Sequence, residues 1–96
     1  MLKKRRFSKD NVVKVTFALP PETAHESVRV VGEFNGWEGT PLERQKDGTW
    51  KTTVSLEPGR EYEFRYLVDS ERWLNDPNAD GHVSNPFGED NSVVAT

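Results

Sequence analysis

At 96 residues, with 33% hydrophobic residues and a formal charge of −3, the chain has the size of one small domain with one core. The absence of cysteine excludes a disulfide framework and a thiolate metal site, and no apolar run has the length needed to span a bilayer. The charge is divided: residues 1–9 hold five of the 13 Lys and Arg and no acid, leaving eight cations against 16 acids, a net −8, on residues 10–96. An acidic body of this kind argues against a nucleic-acid surface.

The basic start Met1-Leu2-Lys3-Lys4-Arg5-Arg6 runs into Phe7-Ser8-Lys9-Asp10, not into an apolar signal core, so the chain reads as non-exported and cytoplasmic. Residues 1–9 are expected to be a flexible basic arm, either a solvated end or a dock for an acidic partner, and residues 10–96 the folded domain. Val13, Val15, Phe17 and Leu19 then alternate with Lys14, Thr16 and Ala18, the period of a strand with one buried face. Pro20-Pro21 ends it, and a polar loop follows over residues 22–26. A second strand is expected over residues 27–34, with Gly32 marking either a bulge or a close backbone approach.

Asn35-Gly36 is a strong turn signal, and the aromatic just after it, Trp37, either caps the core under the turn or stands as a fixed, exposed plane at the sheet edge. Leu42, Arg44 and Lys46 read as a short polar edge strand, and Lys46-Asp47-Gly48 as a hairpin turn. Beyond it Trp50, Thr52, Val54 and Leu56 share one face, which assigns Trp50 to the core. After the turn Glu57-Pro58-Gly59-Arg60, Tyr62, Phe64, Tyr66 and Val68 alternate with Glu61, Glu63, Arg65 and Leu67 in the clearest strand of the chain. Strict alternation sends Arg65 to the outer side. Trp73-Leu74-Asn75 is an edge strand, residues 76–91 read as a long irregular segment, and residues 92–95 as a closing strand. With no helical period and about seven short strands, the expectation is an all-β antiparallel sandwich.

These pieces resemble carbohydrate-binding module family 48, the glycogen- and starch-binding early set domains with an immunoglobulin-like sandwich fold. The resemblance spans residues 12–94 and rests on Gly32-Glu33-Phe34-Asn35-Gly36-Trp37, Tyr62-Glu63-Phe64-Arg65-Tyr66-Leu67-Val68-Asp69, Trp73-Leu74-Asn75-Asp76-Pro77 and Asn91-Ser92-Val93-Val94. It implies an α-1,4-glucan such as glycogen or a maltooligosaccharide as partner, held by Trp37, Arg65, Trp73 and Asn91. Phe87 and Glu89 fall where the family carries an aliphatic residue and a hydroxyl residue against the sugar, and Arg65 stands where it carries lysine, which changes the geometry of the cation. A shallow site of this kind binds weakly, around the micromolar to millimolar range.

The resemblance implies no cofactor and no catalysis, since the family's chemistry resides in a barrel domain that has no counterpart in these residues. Asp76-Pro77-Asn78-Ala79-Asp80-Gly81 matches the first half of a calcium loop, but Phe87 stands where a bidentate glutamate is needed, so no metal is assigned. His25 and His82 receive no role. The expected function is a free-standing, non-catalytic glucan-binding module; the alternative is a regulatory early set domain docking on a glycogen-metabolism enzyme or kinase without sugar binding of its own.

Overall fold

The computed structural model describes residues 2–7, 9–86 and 88–96. Ten strands are present among them: β1 (Leu2–Phe7), β2 (Val12–Leu19), β3 (Val28–Gly32), β4 (Thr40–Pro41), β5 (Glu43–Arg44), β6 (Trp50–Leu56), β7 (Glu61–Val68), β8 (Arg72–Leu74), β9 (Gly81–Ser84) and β10 (Asp90–Ala95). They form two antiparallel sheets, one in the order β1-β2-β6-β5 and the other β4-β3-β7-β10-β9 with β8 added beside β7. Two single 3-10 turns, Pro21–Thr23 and Glu33–Asn35, are the only helical segments among the described residues, and no helix is long and apolar enough to cross a membrane.

The alternation read in β2, β6 and β7 is the alternation seen. Val13, Val15, Phe17 and Leu19 of one sheet face Phe64, Tyr66 and Val68 of the other, with Trp50, Leu56, Val28, Val30 and Val94 closing the same core. Phe17 lies at its centre, its ring 5.5 Å from Phe34 and 5.1 Å from Phe64. The expected edge strand around Leu42 is two strands. β4 pairs with β3, β5 pairs with β6, and buried Leu42 carries the chain from one sheet to the other. Gly32 marks a close approach: a Cβ there would meet Glu63 O at 2.7 Å and Phe64 Cβ at 2.8 Å.

Two expectations are corrected. The basic start is not a flexible arm over residues 2–7: β1 pairs along its length with β2, from Leu2 opposite Phe17 to Phe7 opposite Val12. Leu2 packs against the core, Lys4 Nζ reaches Asp80 Oδ2 at 2.7 Å and Ala95 O at 2.9 Å, and Arg6 donates to Thr96 O. The cations that suggested solvation tie one sheet to the other. The segment over residues 76–91 is not irregular throughout, because β9 pairs with β10 in the register Ser84 to Asp90. Its sequence has no apolar alternation to announce it, and the backbone of β10 supplies the pairing instead.

The turn after β7 is fixed by a carboxylate. Asp69, at φ 52°, accepts the backbone N–H groups of His25, Glu26 and Ser27 at 2.7–3.2 Å. Those N–H groups, Glu26 first, hold its carboxyl below the usual range. A lowered folded value contributes stability that is present above the unfolded value of about 3.9 and is lost as pH falls through the folded one. Acid unfolding of Asp69→Asn, followed by circular dichroism, is therefore expected to show a shallower loss of stability below about pH 4 than the wild type.

Candidate functional site

The outer face of the larger sheet is where the expected site residues converge. β7 sends Arg65 outward, opposite Val31 of β3, and Leu67 outward, opposite Trp73 of β8. Trp37 reaches the same face from the turn that follows β3. That turn is built by Asn35, whose Oδ1 accepts from Gly32 N at 3.0 Å while its Nδ2 donates to Val30 O at 2.9 Å and Thr40 Oγ1 at 3.1 Å. Trp37 N closes the loop by donating to Gly32 O at 2.9 Å. Gly36 and Trp37 both take left-handed backbone, at φ 65° and 64°. Glycine accepts this freely, whereas a tryptophan there is strained by about 1–3 kcal/mol. The strain is tolerated where it fixes the indole in the open.

Trp37 and Trp73 are 44% and 49% exposed, among the largest apolar groups left in solvent. They share one depression of about 470 Å3 with Arg65, Glu89 and Asn91, and Asn85 and Pro86 complete its wall. Five of the six residues singled out by the sequence thus meet at one place; the sixth, Phe87, lies outside the described residues. Asn85 and Pro86 were missed, although an Asn-Pro pair in an Asn-rich stretch is a turn signal that brings backbone to a surface.

Arg65 is the hub of this depression. Its Cζ lies 5.3 Å from the centroid of the Trp73 ring, and its guanidinium donates to Glu89 Oε2 at 2.8 Å. Its Nε is buried without a partner among the described residues. Asn91 sits deeper than a sequence reading suggests, only 7% exposed, with Nδ2 donating to Glu63 Oε1 at 3.0 Å and Oδ1 accepting from Asn85 Nδ2 at 3.2 Å. The surface therefore combines two aromatic planes with a cation, a carboxylate and an amide network. Arg65 and Glu89 neutralise each other, which suits an uncharged ligand with both apolar faces and hydroxyls.

The Arg65–Glu89 pair is asymmetric, the arginine side chain 14% and the glutamate 58% exposed. A pair so open to water on one side is worth at most about 1 kcal/mol. Glu89→Gln is expected to lower thermal stability by less than that, and to leave Arg65 against Trp73, because the ring contact does not need the carboxylate. The check is a melting curve together with the tryptophan emission maximum, which is expected to stay in place.

The loop that follows Trp73 is anchored below the surface. Asp76 is fully buried, its Oδ2 accepting from the Tyr66 hydroxyl at 2.7 Å and its Oδ1 from Asn78 N at 2.8 Å. Asp80 accepts from Lys4 and from Ala95 N at 2.7 Å. Burial alone would raise the Asp80 carboxyl, and these two hydrogen bonds together with the Lys4 charge outweigh it, leaving it lowered. The two carboxylates of the run that resembles half a calcium loop are thus engaged within the fold.

Comparison with known proteins bears on this arrangement. Residues 13–95 match the family described as the glycogen recognition site of AMP-activated protein kinase. The chain is 38% identical over 65 residues to the 1,4-alpha-glucan branching enzyme GlgB of Photobacterium profundum, an alignment covering 65% of this chain and 8% of that enzyme. Among solved structures, the ferric enterobactin esterase of Salmonella typhimurium superposes with a TM-score of 0.77 at 12% identity, over 99% of this chain and 34% of that one, a likeness of fold alone. With the family match running from the first core residue of β2 to the last residue of β10, the chain belongs to the glycogen-recognition domain family.

Proposed function

We propose that the Trp37–Trp73 depression binds a neutral α-1,4-linked glucan, glycogen or a maltooligosaccharide, and performs no chemistry on it. The observation that carries this reading is the pair of half-exposed indoles on one depression with Arg65 against one of them. A glucose ring presents an apolar C–H face to each aromatic plane and a rim of hydroxyls to Arg65, Glu89 and the Asn85–Asn91 amides. Phe87, which falls where the family carries an aliphatic residue against the sugar, is proposed to add apolar contact to the glucan.

Catalysis is a poorer account of the same surface. Glycoside hydrolysis needs two carboxylates flanking a cleft, one acting as acid and the other as nucleophile or base. Glu89 is committed to Arg65, and Glu63 accepts from Asn91, so the carboxylates here hold other protein groups. A glycogen ligand also fits a cytoplasmic setting, with any protein partner in glycogen metabolism engaged elsewhere on the surface.

Native gel electrophoresis with soluble glycogen in the matrix tests the proposal. The wild-type protein is expected to be retarded in proportion to glycogen and unaffected by dextran, whose linkage presents the rings differently. Unchanged mobility at high glycogen would overturn the glucan reading and leave the tryptophans to a protein partner.

A further inference from the structure

We infer that the glucan footprint does not end at Trp73 but turns over the free edge of β8 into a second depression, so that this module grips longer chains more tightly than its tryptophan pair alone allows. The inference rests on the glucan reading above and extends it. A second hollow of about 530 Å3 shares Trp73, Arg65 and Glu89 with the first, and its remaining wall is formed by Glu22 and Thr23 of the turn after β2, by Val68 of β7 and by Arg72 and Leu74 of β8.

The geometry of β8 explains how the two hollows join. Among the described residues β8 pairs with β7 alone, so its other edge is open. Trp73 stands opposite Leu67 on the outer face, whereas Arg72 and Leu74 stand opposite Val68 and Tyr66 and project to the other side. A chain that leaves the Trp73 ring and passes over this edge meets, in turn, unpaired strand backbone and the side chains of Leu74 and Arg72. An α-1,4-linked glucan is itself curved, and a surface that bends around a strand follows it better than it follows a straight polymer.

The chemistry of the second hollow is that of a sugar site. Leu74 is 39% exposed and offers apolar area beside the indole. Arg72 is tethered by a hydrogen bond to Thr23 O at 3.2 Å, which holds the two walls together while leaving further guanidinium N–H groups for hydroxyls. Glu22 is exposed and its side chain has no hydrogen-bond or ion-pair partner among the described residues, so its carboxylate is available as an acceptor. One wall comes from the turn that joins β2 to β3 and the other from the β7–β8 edge of the larger sheet.

The test compares maltotriose with maltoheptaose by calorimetric titration of the full chain, in the wild type, Leu74→Ser, Glu22→Ala and the double variant. The short sugar occupies the tryptophan pair and reports that each variant is folded and competent. In the wild type the long sugar is expected to bind about tenfold more tightly than the short one. Each single variant is expected to lower that gain about twofold, and the double variant to leave only the statistical advantage of a chain that can bind in more than one register, with maltotriose affinity changed by less than about twofold. A longer chain also gains from having more registers in which to bind, but that advantage is the same in every variant. If the variants keep the wild-type gain, the second hollow is not part of the footprint, although the glucan reading stands. If the wild type binds neither sugar, both fall together.

Discussion

Replacing Trp37 or Trp73 by alanine is expected to weaken maltoheptaose binding by about 3- to 12-fold each, and replacing both to remove measurable binding. Full burial of a large apolar side chain is worth about 1.5–3 kcal/mol. The two rings are 44% and 49% exposed, so the protein already covers about half of each, and a sugar can claim only the remainder, about 0.7–1.5 kcal/mol per ring. In a shallow site whose total affinity is small, losing both leaves too little to hold the polymer. Fluorescence or calorimetric titration reads the loss directly.

The stability of these variants separates a binding role from a structural one. Trp37 sits at φ 64°, a conformation that glycine adopts without cost. Trp37→Gly is therefore expected to be at least as stable as the wild type, with a gain of up to about 1 kcal/mol, while binding as poorly as Trp37→Ala. A side chain that capped the core would show the opposite: its removal would lower the melting temperature. Trp73→Ala is expected to stay within about 0.5 kcal/mol of the wild type, apart from the contact with Arg65. Equal losses of stability and binding in these variants would return both indoles to the core.

What was legible in the sequence follows from where information is local. The strands β2, β6 and β7 each bury one face in a single core, so their alternation announces them, and it also places Arg65 outside. Trp37 was legible because Asn35-Gly36 fixes a turn on its own. β1 and β9 were not, for opposite reasons. In β1 the cations at Lys4 and Arg6 occupy the side that packs toward the other sheet, held by Asp80, Ala95 and Thr96, far away in sequence. In β9 the residues are mostly exposed, and only a partner strand makes them extended.

The site shows the same limit. That Arg65, Trp73 and Asn91 are candidate site residues was carried by their order in four motifs; that Asn91 is buried and bonded to Glu63 and Asn85 was not. An amide can face a ligand or its neighbours, and the choice depends on side chains 28 and 6 positions away. Glu89 is the clearer case. As a lone carboxylate in a hydroxyl's place it looked like a departure, whereas its partner at 2.8 Å is the arginine that replaces a lysine. These two of the differences that the resemblance implies are adjacent in space.

Asp76→Ala is expected to destabilise the protein by about 2–5 kcal/mol, more than the loss of either indole. The carboxylate is fully buried and accepts from the Tyr66 hydroxyl and from Asn78 N, while the Asp76 backbone N donates to Ser92 Oγ at 2.9 Å. Burial, and then the adjacent Asp76 charge, push the Tyr66 hydroxyl above the ordinary tyrosine range, so it stays protonated and donates at every accessible pH. Removing the acceptor strands that donor in the core and frees the loop that leaves β8. For a small domain whose whole stability is on the order of 5–15 kcal/mol, such a loss is a large fraction of the total. Tyr66→Phe removes the donor instead and leaves a buried carboxylate oxygen short of one partner, so it too is destabilising. The double variant is expected to cost less than the sum of the two, with a coupling of at least about 1 kcal/mol in urea unfolding. Strict additivity would mean that the two groups do not depend on each other, and the anchoring of the loop behind Trp73 would then lie with Ser92 and Asn75.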